Sequence, residues 1–179
     1  LRVFVEGLGG LKADWSVLFV LLSVLTLLLG NVVAIVQTNI KRMLAYSSIA
    51  HAGYALIGLV AAGRSAGESG GTPGIASVML YLTFYAFMTL GAFAVIAMFR
   101  KGGLEGDEIE DFTGLAKRQP LAALIMLVFM VSMTGIPPTA GFIGKFYVFM
   151  AAVEAGLSWL AAIGLVFSAV SAYYYMRVV

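Results

Sequence analysis

The 179-residue chain contains no cysteine, one histidine and four prolines, and only 11 % of it is charged. Without a thiol it forms no disulfide, thiolate nucleophile, cysteine-held iron–sulfur cluster or haem thioether. One histidine cannot assemble a histidine metal site. The 11 basic and 9 acidic residues leave a net charge of +2, which gives no footprint for nucleic acid. Apolar residues fill the rest, at 61 % of the chain with a mean hydropathy of +1.00. A disordered segment is excluded by that content, and an ordinary soluble domain, about a quarter charged, fits it poorly.

The few charges are also clustered. Residues 15–40, 43–63, 69–99, 119–144 and 155–176 carry no Asp, Glu, Lys or Arg. A bilayer core needs about 20 apolar residues per helix, so an all-α, polytopic membrane protein is expected. The reading divides the chain into a pre-helix segment over 1–14, a five-helix membrane unit over 15–176, and a continuation at 177–179 that marks a piece of a longer protein. Within the unit, helices are expected over about 15–37, 41–62, 75–99 and 157–176. The stretch 120–155 would measure about 54 Å as one helix, against a hydrocarbon core of about 30 Å. Gly135, Pro137 and Pro138 interrupt it, and two prolines remove two backbone donors. One discontinuous helix, with halves over about 121–134 and 140–155, therefore fits; a hairpin of two short helices is the alternative. The charged stretch 100–119 reads as a solvated loop.

Polar side chains inside the apolar stretches recur at helical spacing. Ser47, His51, Tyr54 and Gly58 share one face, as do Tyr81, Tyr85 and Thr89, and Ser168, Ser171 and Tyr175. Such stripes face protein or water, not lipid. Ser23 and Thr26 suit bonds to their own backbone, and Asn31 suits a bond to another helix. Lys145 is the outlier, with Phe142, Ile143, Phe146 and Val148 around it. It either snorkels to an interface or faces the interior beside the helix break as a protonatable group, since desolvation disfavours a charged amine. Broken helices at membrane depth line polar or ion-handling cavities. His51 suits proton relay or an interhelical bond. Lys41, roughly 15 Å from it along the helix axis, needs an intermediary to reach it. Glu154 could pair with a lysine or sit at a wetted helix end.

Two strings carry more than membrane composition: Gln37-Thr38-Asn39-Ile40-Lys41-Arg42-Met43-Leu44-Ala45-Tyr46-Ser47-Ser48-Ile49-Ala50-His51-Ala52-Gly53-Tyr54 and Thr134-Gly135-Ile136-Pro137-Pro138-Thr139-Ala140-Gly141-Phe142-Ile143-Gly144-Lys145-Phe146-Tyr147. Both closely resemble the antiporter-like proton-pumping membrane subunits of respiratory complex I, and most closely the subunit-N branch of that family. The resemblance implies a five-helix repeat, one of two inverted repeats in a subunit of about fourteen helices. It implies that Lys145 matches the lysine at the proton-channel break, Lys41 the lysine opening the tenth helix, and His51 a polar position deeper in that helix. The stretch Leu80–Thr89 departs from the larger paralogues, which carry histidines and a lysine there. That departure favours the subunit-N branch, and leaves water with Tyr81 and Tyr85 to bridge the central path.

The implied role is a non-redox membrane subunit of a proton-translocating NADH–quinone oxidoreductase in the bacterial inner membrane. No cofactor is implied in this chain; NADH, flavin, iron–sulfur clusters and quinone would belong to partner subunits. Neighbouring antiporter-like and small membrane subunits and the lipid bilayer are the implied partners. A subunit of a multisubunit cation/proton antiporter is the alternative, and a structural scaffold with inherited polar groups is the non-transport reading.

With 120–155 crossing once, Lys41, Arg42, Arg100, Lys101, Lys117, Arg118 and Arg177 lie at one end, against Arg2, Lys12 and Arg64 at the other. The excess of basic residues places the first end in the cytoplasm. A cysteine introduced at Glu108 should then react with an impermeant reagent from the cytoplasmic side only; labelling from the periplasm would reverse the assignment.

Overall fold

The structure, a computed structural model, describes residue 3 and residues 12–65, 72–101 and 107–179. Most of the pre-helix segment expected over 1–14, and residues 66–71 and 102–106 of the two longer loops, lie outside that description. The described chain runs α1 (Lys12–Ile35), α2 (Ile40–Ser65), α3 (Thr72–Lys101), a 3-10 turn (Ile109–Phe112), α4 (Leu115–Arg118), α5 (Pro120–Thr134), α6 (Ala140–Glu154) and α7 (Ser158–Val178). Helices α1, α2, α3 and α7 are each long and apolar enough to cross a membrane, and α5 is a shorter apolar helix. The fold is the all-α, polytopic arrangement with one discontinuous helix, formed by α5 and α6.

The ends of the helices settle how α5 and α6 cross. Arg177, in the last turn of α7, donates to the carbonyl of Ile35 at the end of α1 (3.2 Å). Pro120 and Ala123 at the start of α5 line one cleft with Arg177 and Val178. At the opposite end, Glu154 of α6 lines a cleft with Ala76 and Ser77 near the start of α3. Helix α5 therefore begins at one end of the bundle and α6 finishes at the other. The pair makes a single crossing, and the hairpin alternative is excluded.

Helix α2 occupies the centre, because small residues let its neighbours come close. Its buried positions include Met43, Ser47, Ala50, His51, Tyr54 and Ile57, and it touches α1, α3, α6 and α7. Helix α1, in contrast, turns Leu21, Leu25, Leu29 and Val32 outward, as a lipid-facing helix should. Ser23 donates to the Gly53 carbonyl of α2 instead of to its own helix (3.0 Å). Thr26 bonds its own backbone, at Leu22 and Ser23.

The charged stretch is more than a solvated loop. Asn39 and Glu108 form an antiparallel bridge, in which Ile40 N–H donates to Asp107 O and Ile109 N–H to Thr38 O, each at 2.8 Å. Lys41 pairs with Asp107. Ile109 and Phe112 then drop into the apolar core beside Met43 and Met126. Burying two large apolar side chains, each worth about 1.5–3 kcal/mol, outweighs leaving this piece of loop in water.

At the break, α5 closes on Gly135, whose φ of 89° and ψ of 41° is a left-handed conformation that favours glycine. Helix α6 opens on Thr139, whose hydroxyl accepts from Phe142 N–H (3.4 Å) and donates to Ile136 O (2.7 Å). The Pro137–Pro138 peptide is cis, and both prolines are exposed. The first turn of α6 lies against the last turn of α5, where Gly141 N–H donates to the Ser132 hydroxyl (3.1 Å). A Cβ at Gly141 would run into the Ser132 carbonyl. Gly141→Ala should therefore push the half-helices apart and destabilise the subunit by about 1–3 kcal/mol, read as a lower unfolding midpoint of the full-length subunit in detergent.

Candidate functional site: a lysine closing a broken helix

An α-helix leaves its last four carbonyls without intrahelical partners. In lipid, each unsatisfied group costs several kcal/mol. The last four of α5 belong to Val131, Ser132, Met133 and Thr134. Gly135 N–H serves Val131 O and Ser132 O (3.2 and 3.0 Å). The Lys145 ammonium, reaching back from the second turn of α6, serves the other two. Its Nζ donates to Met133 O (3.0 Å) and Thr134 O (2.9 Å). A third bond goes to the Ser168 hydroxyl of α7 (2.9 Å).

Lys145 is only 4 % exposed, so it does not snorkel. Its Nζ also lies 5.0 Å from the centre of the Tyr54 ring, a cation–π contact. Three N–H donors meet three oxygen acceptors, which is the complement of an ammonium. A neutral amine has two donors and a lone pair. Losing the proton therefore requires one of the three bonds to break or reverse. The site ties the protonation of one side chain to the geometry of a helix end.

His51 forms the second cluster. Its Nδ1 meets the Tyr81 hydroxyl of α3 (2.5 Å) and its Nε2 the Tyr175 hydroxyl of α7 (3.0 Å). In either tautomer one ring nitrogen donates and the other accepts. Tyr85 stacks on the imidazole at 4.4 Å, and Tyr54 meets it edge-on at 5.9 Å. Tyr174 donates to Asn31 Oδ1 (3.1 Å), while Asn31 Nδ2 donates to Leu27 O (2.8 Å). Asn31 thus bonds another helix as expected.

Other sequence-selected residues lie elsewhere. Ser47 is buried and donates to Leu44 O in its own helix (2.9 Å). Lys41 stands at the loop end of α2, paired with Asp107 and 31 % exposed at its side chain, a turn-by-turn distance from His51 that no direct contact spans. Glu154 is exposed at the end of α6, about 13 Å along the helix from Lys145, and makes no ion pair with it. Sequence reasoning missed the Met133 and Thr134 carbonyls, because backbone atoms have no sequence signature. It singled out Ser168, but as part of a stripe and not as a lysine ligand.

The family described as NADH:quinone oxidoreductase/Mrp antiporter, TM, matches residues 2–171, and the chain belongs to that family. Within it, the chain is 51 % identical to NADH-quinone oxidoreductase subunit N of Desulforamulus reducens, over 99 % of its own length and 35 % of that protein. Its fold matches a chain of respiratory complex I from Thermus thermophilus with bound aureothin, at a TM-score of 0.74 and 38 % identity, covering 89 % of this chain and 34 % of that one. A chain of the Mrp complex from Dietzia sp. DQ12-45-1b shares the fold at a TM-score of 0.75 and 24 % identity, covering 92 % of this chain and 29 % of that one. The chain therefore spans about a third of the length of the relatives it matches. The resemblance read from the two strings is borne out, and the sequence likeness falls on subunit N.

The geometry makes His51 a hub for three helices whatever else it does. His51→Phe should leave two phenol hydroxyls without a buried partner, at about 1–3 kcal/mol each. Tyr81→Phe, which leaves the Tyr175 bond in place, should cost less. Unfolding midpoints of the full-length variants, compared in one detergent, check the order.

Proposed function

We propose that this chain is one five-helix repeat, over 15–176, of a proton-translocating, non-redox membrane subunit of a bacterial NADH–quinone oxidoreductase. Quinone reduction in other subunits drives the proton movement, and the redox groups reside there. The subunit sits as a multi-pass protein in the inner membrane, packed against neighbouring antiporter-like and small membrane subunits. The family takes in the Mrp antiporters as well, and the 51 % identity to subunit N, against 24 % to the Mrp chain, supports this reading over a cation/proton antiporter.

The observation that carries it is the Lys145 ammonium bound to the open end of α5. A buried cation whose partners are two carbonyls and a hydroxyl has no acid to hold its charge in place. It is free to exchange its proton if one partner moves. Lys145 is the carrier in this reading, and the helix break supplies two of its acceptors. His51 receives or returns the proton at the centre of the bundle. Lys41, held by Asp107 at the loop end of α2, faces the cytoplasmic entrance. Tyr81, Tyr85, Ser47 and Tyr54 line the route between them, whereas Glu154 stands at the opposite mouth.

Lys145→Ala in the assembled complex should abolish or sharply reduce proton uptake into vesicles per quinone reduced. Lys145→Arg should keep the charge and the hydrogen bonds yet cycle poorly, since a guanidinium does not readily release its proton. Normal stoichiometry in both, at matched complex content, would remove Lys145 as an obligatory carrier.

A further inference from the structure

One residue stands between the Lys145 cluster and the His51 cluster. Tyr54 is 1 % exposed, and its hydroxyl has no hydrogen-bond partner among the described residues. A buried hydroxyl in that condition is costly and rare. The ring itself is firmly held. It lies under Lys145 Nζ at 5.0 Å and packs edge-on against His51 (5.9 Å), Tyr81 (6.3 Å) and Phe149 (6.0 Å). The hydroxyl is thus fixed in place but not in orientation.

Its surroundings offer partners on two sides. Ser168 and Asn31 lie beside it, though neither closes a hydrogen bond in the geometry shown. Ser168 belongs to the Lys145 cluster: it accepts from the ammonium, and its own proton is loosely held, 3.4 Å from Thr134 O. Asn31 is bonded to Tyr174, whose ring packs at 4.5 Å on Tyr175, the partner of His51 Nε2. Asn31 has one amide N–H still unassigned, and Ser168 one acceptor position.

We propose that the Tyr54 hydroxyl is the switching link that passes the proton between the Lys145–Ser168 cluster and the His51–Tyr175 pair, with one water completing the step to Tyr175. The proposal rests on Lys145 being the carrier. Starting from the ammonium, the Nζ–H bond to Ser168 breaks as an O–H bond forms on Ser168. Ser168 gives up its original proton to the Tyr54 oxygen. Tyr54 releases its phenolic proton through the water to Tyr175, and the Tyr175 proton moves to His51 Nε2. Each oxygen gains one O–H bond as it loses another. The step ends with neutral Lys145 and an imidazolium whose Nδ1–H rests on Tyr81. With the amine neutral, Ser168 turns to donate to Nζ and accepts from Tyr54, so the Tyr54 hydroxyl points the opposite way. Turning the O–H groups of Ser168, Tyr54, the water and Tyr175 back to their starting directions resets the path.

Tyr54→Phe removes the oxygen and keeps the ring that packs against Lys145 and His51. In the assembled complex, proton uptake per quinone reduced should fall roughly tenfold or more at wild-type complex content. The residual rate should show a larger H2O-to-D2O ratio than the wild type. Wild-type uptake, or a fall with an unchanged isotope ratio, would overturn the proposal. Should complex content fall in this variant, Ser168→Ala and Tyr175→Phe interrupt the same path on either side of Tyr54. Both should lose uptake, and wild-type stoichiometry in either overturns it as well. Loss of pumping in Lys145→Ala beside normal pumping in Tyr54→Phe would reject the link alone; normal pumping in Lys145→Ala would reject the carrier itself.

Discussion

A helix that stops inside a bilayer leaves carbonyls with no water to meet them, and the structure is organised around how α5 solves that problem. Two of its last carbonyls are answered by the backbone of Gly135, and two by Lys145. A lysine at membrane depth costs about 2.5–3.5 kcal/mol on insertion scales. Two open carbonyls there would cost several kcal/mol each. The two unfavourable features offset each other when they meet, and neither would be tolerated alone. This constraint accounts for the left-handed glycine that ends α5 and for the close approach of Gly141 to Ser132. It also requires a small hydroxyl on α7 to complete the set of acceptors.

The clusters around Lys145 and His51 differ in kind. The lysine site is built from backbone oxygens and one serine, so it favours a charge. The histidine site is built from phenols that both donate and accept, so it is satisfied without one. Both sit in the interior of the same bundle, and α2 carries His51 and Tyr54 one turn apart. A helix packed against four others can hold such groups in fixed register. Helix α1, which gives most of its surface to lipid, closes the Ser23 and Thr26 hydroxyls onto backbone carbonyls and holds Asn31 between Leu27 O and Tyr174.

Much of this was legible in the residues. Charge-free stretches mark the crossings because lipid excludes charge, and Gly135-Ile136-Pro137-Pro138 marks the break because glycine and proline disrupt backbone bonding. Lys145 stood out as a lone charge among apolar residues, with snorkelling and an interior position both open, and the fold puts it inside. Its ligands did not stand out, since carbonyls are invisible to sequence patterns and Ser168 lies 23 residues away. Nor did the stretch Asp107–Phe112 announce itself. Its acidic residues read as solvated, while Ile109 and Phe112, the two that pack, are a single pair in a charged stretch and form no recurring stripe. The choice between hairpin and single crossing depended on which helix ends lie together, and only the fold contains that information.

The seam between Thr38–Ile40 and Asp107–Ile109 has a consequence for how such a sequence can vary. Its two bonds run from main chain to main chain, so they do not depend on which side chains flank them. Exposed acids such as Glu110 can change sign or vanish while the segment keeps its seat, provided Ile109 and Phe112 still fill the core. The surface this end of the bundle offers to water is therefore open to revision, and the helix ends beneath it keep their register.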